Sequence, residues 1–189
     1  YTSKKDSTKT NDSKQDCYLL PVGRRLTEGN FTVNGFAWKP GGKEIAFNRQ
    51  ANPLINSGLS SDIVILNIAT RELKTLVSNP AGDFINRWSP DGMEFIYNSA
   101  VNDSVSNFYK NNHLYIFNLN TAISREIAQD IDENKSVIDW NIQGLFLSAL
   151  EKTKPKLYLA DPKTGKSKAI TIPLDILGGI SFSKNTDNI

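Results

Sequence analysis

The chain has three tryptophans, and each is followed by a turn and then by a short apolar run. Trp88-Ser89-Pro90-Asp91-Gly92 leads into Phe95-Ile96-Tyr97, and Trp38-Lys39-Pro40-Gly41-Gly42 into Ile45-Ala46-Phe47. A weaker copy, Trp140-Asn141-Ile142-Gln143-Gly144, leads into Leu145-Phe146-Leu147. The spacings are 50 residues (88 − 38) and 52 residues (140 − 88), and Phe182-Ser183-Lys184-Asn185 continues the series 42 residues on (182 − 140). Proline presets φ at the second position of a turn, aspartate tolerates the next, and glycine closes it. Each unit therefore reads as strand, tight turn, strand. A repeat of this period built from strands predicts an all-β fold, the β-propeller, with blades of four antiparallel strands A to D.

The pattern divides the chain into segments. Residues 31–79 form one blade, with strand A up to Trp38, strand B over 43–49, strand C at Ile63-Val64-Ile65-Leu66 and strand D from Leu73 to Val77. Residues 80–129 form the next, with strands at 83–88, 93–99, 113–118 and 123–128. Residues 130–173 form a third, with strands at 136–140, 144–149, 157–159 and 167–172. Residues 1–30 match the second half of a preceding blade: Tyr1 aligns with Tyr97, residues 4–16 with a B–C loop, Cys17-Tyr18-Leu19-Leu20 with a strand C and Arg25-Leu26-Thr27 with a short strand D. Residues 174–189 supply one strand of a further blade, at 178–182. About four blades, truncated within a strand pattern at both ends, are expected. Rings close at about four to eight blades, so the expectation is an excerpt of a longer polypeptide, the alternative being a second copy that completes the ring. The tryptophans are expected to pack each blade against the following one in equivalent settings.

Among its 189 residues, the chain carries a net charge of +2 with no Lys/Arg cluster on one face, which argues against nucleic acid. No apolar run approaches the ~20 residues of a membrane helix. Cys17 is the only cysteine, so an intrachain disulfide and a Cys/His zinc set are both excluded. No cofactor or metal is expected. Compartment is not determined; periplasmic or secreted and cytoplasmic locations both fit.

The sequence resembles the propeller of the prolyl oligopeptidase family of serine peptidases, especially its acylaminoacyl-peptidase and dipeptidyl-peptidase-like branch. The resemblance rests on Arg25-Leu26-Thr27-Glu28-Gly29, Trp88-Ser89-Pro90-Asp91-Gly92 and Ile180-Ser181-Phe182-Ser183-Lys184, with the strand C–strand D pattern from Ile63 to Val77 and from Leu114 to Ile127. TolB-like propellers use nearly the same aromatic-Ser-Pro-Asp-Gly unit; the long B–C loops favour the peptidase. The resemblance implies a non-catalytic domain that gates access of short peptides and docks an α/β-hydrolase domain of the same polypeptide or another subunit. The rival is a non-enzymatic, TolB-like interaction propeller.

No catalytic residue is expected within these residues. The Gly-x-Ser-x-Gly elbow of the hydrolase domain is absent, and so is the Glu-Glu pair that dipeptidyl-peptidase members carry on the propeller. His113, the sole histidine, stands at the head of a strand C, where other blades have Asp16, Asp62 and Lys156, and reads as a surface position. Asp91 reads as a turn residue. Arg87 and Asp139 each precede a tryptophan in successive blades; they either pair or both face a wet central channel. Antiparallel blades place the B–C loops at 4–16, 50–61 and 100–112 on one rim. Enlarged loops on a rigid scaffold are where function concentrates. Arg49, Asn52, Tyr109 and Lys110 are the partner-contact residues expected on that rim.

Overall fold

A computed structural model describes residues 23–100, 110–172 and 179–182. It is all-β and contains three four-stranded antiparallel sheets, each with its strands in sequence order. Sheet I comprises β1 (Thr32–Trp38), β2 (Glu44–Gln50), β3 (Asp62–Asn67) and β4 (Leu73–Val77). Sheet II comprises β5 (Asp83–Trp88), β6 (Glu94–Ser99), β7 (His113–Asn118) and β8 (Ile123–Ile127). Sheet III comprises β9 (Lys135–Asn141), β10 (Gly144–Glu151), β11 (Lys154–Ala160) and β12 (Ser167–Ile170). The first strands lie side by side, β5 against β1 and β9 against β5, which is the radial arrangement of a partial propeller.

The repeat motif forms the turn its residues predict. Gly92 N–H donates to the Ser89 carbonyl at 2.9 Å, closing a four-residue turn with Pro90 and Asp91 at its centre. Gly92 has φ of 70°, a conformation that other residues adopt only under strain. Asp91 accepts from Ser89 Oγ at 2.6 Å and from Met93 N–H at 3.0 Å. Those bonds hold its carboxyl below the usual aspartate value, as a structural turn residue requires.

Alternation along each strand splits its apolar residues between two seams. Ala46, Ile63 and Ile65 of sheet I meet Trp88, Phe95, Tyr97 and Phe117 of sheet II. Ile96, Leu114 and Ile116 on the opposite face of sheet II meet Trp140, Leu145 and Leu147 of sheet III. Tyr97 is buried with its hydroxyl donating to Ser124 at 2.8 Å, and burial pushes that phenol up to about 12. Trp88 and Trp140 thus pack back onto the preceding sheet, not onto the following one. Phe182 obeys the same rule, its ring 4.3 Å from that of Phe146 in sheet III. The tryptophans are correspondingly unequal. Trp88 is 5% and Trp140 8% exposed, whereas Trp38, with no described sheet behind it, is 53% exposed.

Two expected strands differ. Residues 25–27 and 179–182 are irregular backbone, with no described strand alongside to form a ladder. Leu26 and Phe31 nevertheless pack on Phe47, Val64 and Leu66, covering part of the outer face of sheet I. The half-blade assigned to residues 1–22 lies outside the described residues.

Candidate functional site

The two ends of the sheets carry different chemistry. At the B–C end of sheet I, residues 50–61 are an ordered structure and not a plain polar loop: a 3₁₀ turn spans Ile55–Ser60. Asn52 builds it, since its Oδ1 accepts from Leu54 N–H at 3.0 Å and from Ser57 Oγ at 2.6 Å. Arg49 is also engaged, donating to Asp62 at 2.8 Å and to Thr75 at 3.3 Å. Lys110 is exposed, and Tyr109 lies outside the described residues. What the loop presents to solvent is apolar: Leu54 is 68% and Ile55 91% exposed. Sequence reasoning chose polar contact residues there and missed this pair. The signal was the apolar dipeptide itself, placed where only turn residues were needed.

The loop is fastened to sheet II. Asp83 N–H donates to the Ser61 carbonyl at 2.9 Å, and Ser61 Oγ donates to the Asp83 carbonyl at 2.9 Å. The Asp83 side chain is fully buried and accepts from Asn79 Nδ2 at 2.9 and 3.1 Å. Burial raises its carboxyl above the usual value, against the hydrogen bonds from Ser99 and Asn79. Sheet III has no counterpart to this loop: its β10–β11 connection is a tight turn, with Glu151 opposite Lys154.

The first strands form the second candidate region. Each carries an irregularity in register, leaving Gly35, Asn86 and Ile138 without a partner in β2, β6 and β10. Bulges of this kind re-aim neighbouring side chains. Arg87 and Asp139, the pair left open by the sequence, do meet: Arg87 Nη1 lies 2.9 Å from Asp139 Oδ1. The other edge of the guanidinium, Nε and Nη2, has no hydrogen-bond partner among the described residues, and the side chain is 48% exposed. Between these strands and the A–B turns lies a groove of about 430 Å³, within the ~300–1,000 Å³ of small-ligand clefts. All three tryptophans line it, together with Phe36, Arg87 and Pro90. Trp88 uses its indole N–H on the Ala37 carbonyl at 3.1 Å, while the Trp38 indole N–H has no partner among the described residues.

Neither region assembles a hydrolytic centre. His113 is exposed, with Nδ1 2.6 Å from Glu126 Oε1. Hydrogen bonds to His113 and Gln129 outweigh burial and lower the Glu126 carboxyl. Among the described residues no group of three His, Cys, Asp or Glu side chains is placed to hold a metal ion, and no helix is long and apolar enough to cross a membrane.

No protein-family profile and no curated protein sequence matches the chain. Solved structures do. TolB from Acinetobacter baumannii superposes with a TM-score of 0.57 at 16% identity, over 80% of this chain and 35% of its own. Porphyromonas gingivalis dipeptidyl peptidase 4 gives 0.58 at 16% identity, over 77% of this chain and 26% of that one. Oligogalacturonate lyase from Vibrio parahaemolyticus gives 0.60 at 12% identity, over 76% and 42%. At these identities the likeness is one of fold. The chain spans about a quarter to two fifths of the length of these three proteins.

Proposed function

We propose that the chain is the propeller portion of a prolyl-oligopeptidase-family serine peptidase, gating access of short peptides and docking the hydrolase domain. The observation that carries this reading is the B–C loop of sheet I. It holds Leu54 and Ile55 in solvent on an Asn52-built 3₁₀ turn that is clasped to sheet II through Ser61 and Asp83. An apolar pair held out on a fixed support suits a protein surface, since a fixed anchor loses little entropy on docking. The propeller fold shared with a dipeptidyl peptidase supports the same reading.

The test uses the whole polypeptide encoded by the gene, treated with a serine-reactive fluorophosphonate. Labelling of a serine outside residues 1–189 is expected. Leu54→Asp combined with Ile55→Asp is expected to lower hydrolysis of a short chromogenic peptide about tenfold, equivalent to ~1.4 kcal/mol. Absence of label and of peptide hydrolysis would leave the non-enzymatic interaction propeller as the function.

A further inference from the structure

The mouth of the seam between sheets I and II, at the B–C end, is shut by residues 50–61 and holds a carboxyl bonded only to neutral groups. Alternation puts Asp83 on the face of β5 that carries Ile85, the face turned into this seam. Gln50, Ser61, Asp83 and Ser99 are all buried there. The loop rests directly on the β4–β5 connection. A Cβ on Gly82 would stand 2.3 Å from the Gly58 carbonyl oxygen, so only glycine lets the two backbones meet. Ser61 then bonds both backbone groups of Asp83 at 2.9 Å. The Asp83 carboxyl accepts from Asn79 and Ser99 and forms no ion pair among the described residues. The titratable groups around it are committed elsewhere. Asp62, at the root of the loop, is held by Arg49 at 2.8 Å, and His113, beside Ser99 in the ladder, by Glu126 at 2.6 Å. Tyr97, two residues before Ser99 on β6, is a neutral phenol pushed up to about 12.

We propose that residues 50–61 are a pH-sensitive latch, closed on the seam while Asp83 is protonated and loosened once it is ionised. Opening the loop admits water to the carboxylate. Burial raises the carboxyl above its ordinary 3.8 in the closed form, and opening returns it toward that value. Closure is therefore fully favoured below pH 3.8 and weakens as pH rises through the raised value, with no further change above it. The same loop carries Leu54 and Ile55, so the latch sets how firmly that pair is held. This consequence rests on the docking reading above, whereas the latch itself does not.

The full chain, labelled with ¹⁵N and ¹³C, is followed from about pH 3 to about pH 7. The Asp83 carboxyl carbon reports its ionisation, and exchange of the Asp83 amide, which donates to the Ser61 carbonyl, reports the latch. After correction for the intrinsic rate, protection of this amide is expected to fall about threefold or more as the carboxyl titrates, and then to level off. Asp83→Asn should abolish the dependence, while Asp62→Asn and Glu126→Gln should keep it. Gly82→Ala should prise the loop away and bring the Asp83 carboxyl back toward its ordinary titration. A parent carboxyl that titrates at or below 3.8 would overturn the proposal, and that measurement needs no variant to fold. So would protection that ignores pH, a dependence that survives in Asp83→Asn, or one that vanishes in Asp62→Asn or Glu126→Gln. A carboxyl still raised in an opened Gly82→Ala chain would do the same. None of these outcomes bears on the fluorophosphonate test of the whole polypeptide.

Discussion

The seam between sheets I and II and the seam between sheets II and III are built on the same apolar interlock and closed by different polar devices. Each buries a tryptophan at the same repeat position and the alternating residues of two sheets. The first seam is then stitched by neutral groups onto backbone: Asn48 Oδ1 accepts from Ile85 N–H at 2.8 Å, and Trp88 donates to the Ala37 carbonyl at 3.1 Å. The second has an amide stitch too, Asn112 exchanging hydrogen bonds with the Lys135 backbone at 2.6 and 2.7 Å, and adds charge: Arg87 meets Asp139, and Arg125, paired with Glu94 inside sheet II at 2.9 Å, donates to the Pro162 carbonyl in the β11–β12 connection at 2.9 Å. The repeat therefore fixes what must be excluded from water and leaves the polar closure of each seam free to vary. Trp38 is the control for this view, being the same residue at the same position with no described sheet to pack on.

The largest effect expected from breaking that equivalence is at the indoles. Trp88→Ala removes a buried ring and a hydrogen bond, and is expected to destabilise by about 3–5 kcal/mol. Trp38→Ala removes a ring that is mostly in solvent and is expected to cost about 1 kcal/mol or less. Urea midpoints of the two variants measure the difference. Equal losses would mean that Trp38 is covered and that the two positions are alike after all.

The same asymmetry explains how much of the molecule was legible in the sequence. Strand existence, order and the A–B turns followed from Trp, Pro and Gly positions, because turn chemistry and alternation act over a few residues. The direction of tryptophan packing did not follow. Pattern places Trp88 on a face but does not say which neighbour lies over that face; the twist of the sheets decides it. Arg87 and Asp139 were visible as repeat mates, but their contact depends on bulges at Asn86 and Ile138, which no residue type announces. Asp83 was missed as a buried carboxylate, because its partners Asn79 and Ser99 come from loop and strand positions with no shared spacing. The groove was missed for a related reason. The tryptophans read as core residues, and only their convergence in space gives them a common opening.

A smaller effect is expected at Asn48. It lies under Gly35, where a Cβ would stand 2.9 Å from Asn48 Nδ2, so the bulge and the amide are fitted to each other. Asn48→Ala leaves the Ile85 N–H without its acceptor in a buried seam, at about 1–3 kcal/mol. Its repeat mate Asn98 accepts instead from Asn86 within its own sheet, and that side chain is less buried. Asn98→Ala is expected to cost under about 1 kcal/mol. Hydrogen exchange at Ile85 sharpens the contrast, since its amide should lose protection in the first variant and keep it in the second.

The charged seam should betray itself in acid, with the smallest effect of the three. Burial alone would raise the Glu94 carboxyl, but hydrogen bonds from Arg125 and Asn118 outweigh it and hold the group below the ordinary value of 4.5. The folded chain therefore takes up this proton less readily than the unfolded chain. The stabilisation is complete above the ordinary glutamate value and fades as pH falls through the lowered one. Asp83 acts in the opposite sense. Its raised carboxyl sets a penalty that is absent at low pH and grows as pH rises through the raised value. The acid limb of the wild-type chain thus sums two opposed contributions, and only a comparison isolates the seam. Glu94→Gln keeps the shape and removes the charge. It is expected to lower stability by about 1–2 kcal/mol near neutral pH, the range for a part-exposed charged hydrogen bond. The difference from wild type should shrink as pH falls below the ordinary glutamate value and through the lowered one, where the parent carboxylate is itself being protonated. Arg125→Ala should lose more than Glu94→Gln at neutral pH, because it also abandons the Pro162 carbonyl of sheet III. A Glu94→Gln deficit that stayed constant across the acid range would show that the Glu94–Arg125 pair adds no charge-dependent stability, and the charge distinguishing the second seam would then rest on Arg87 and Asp139 alone.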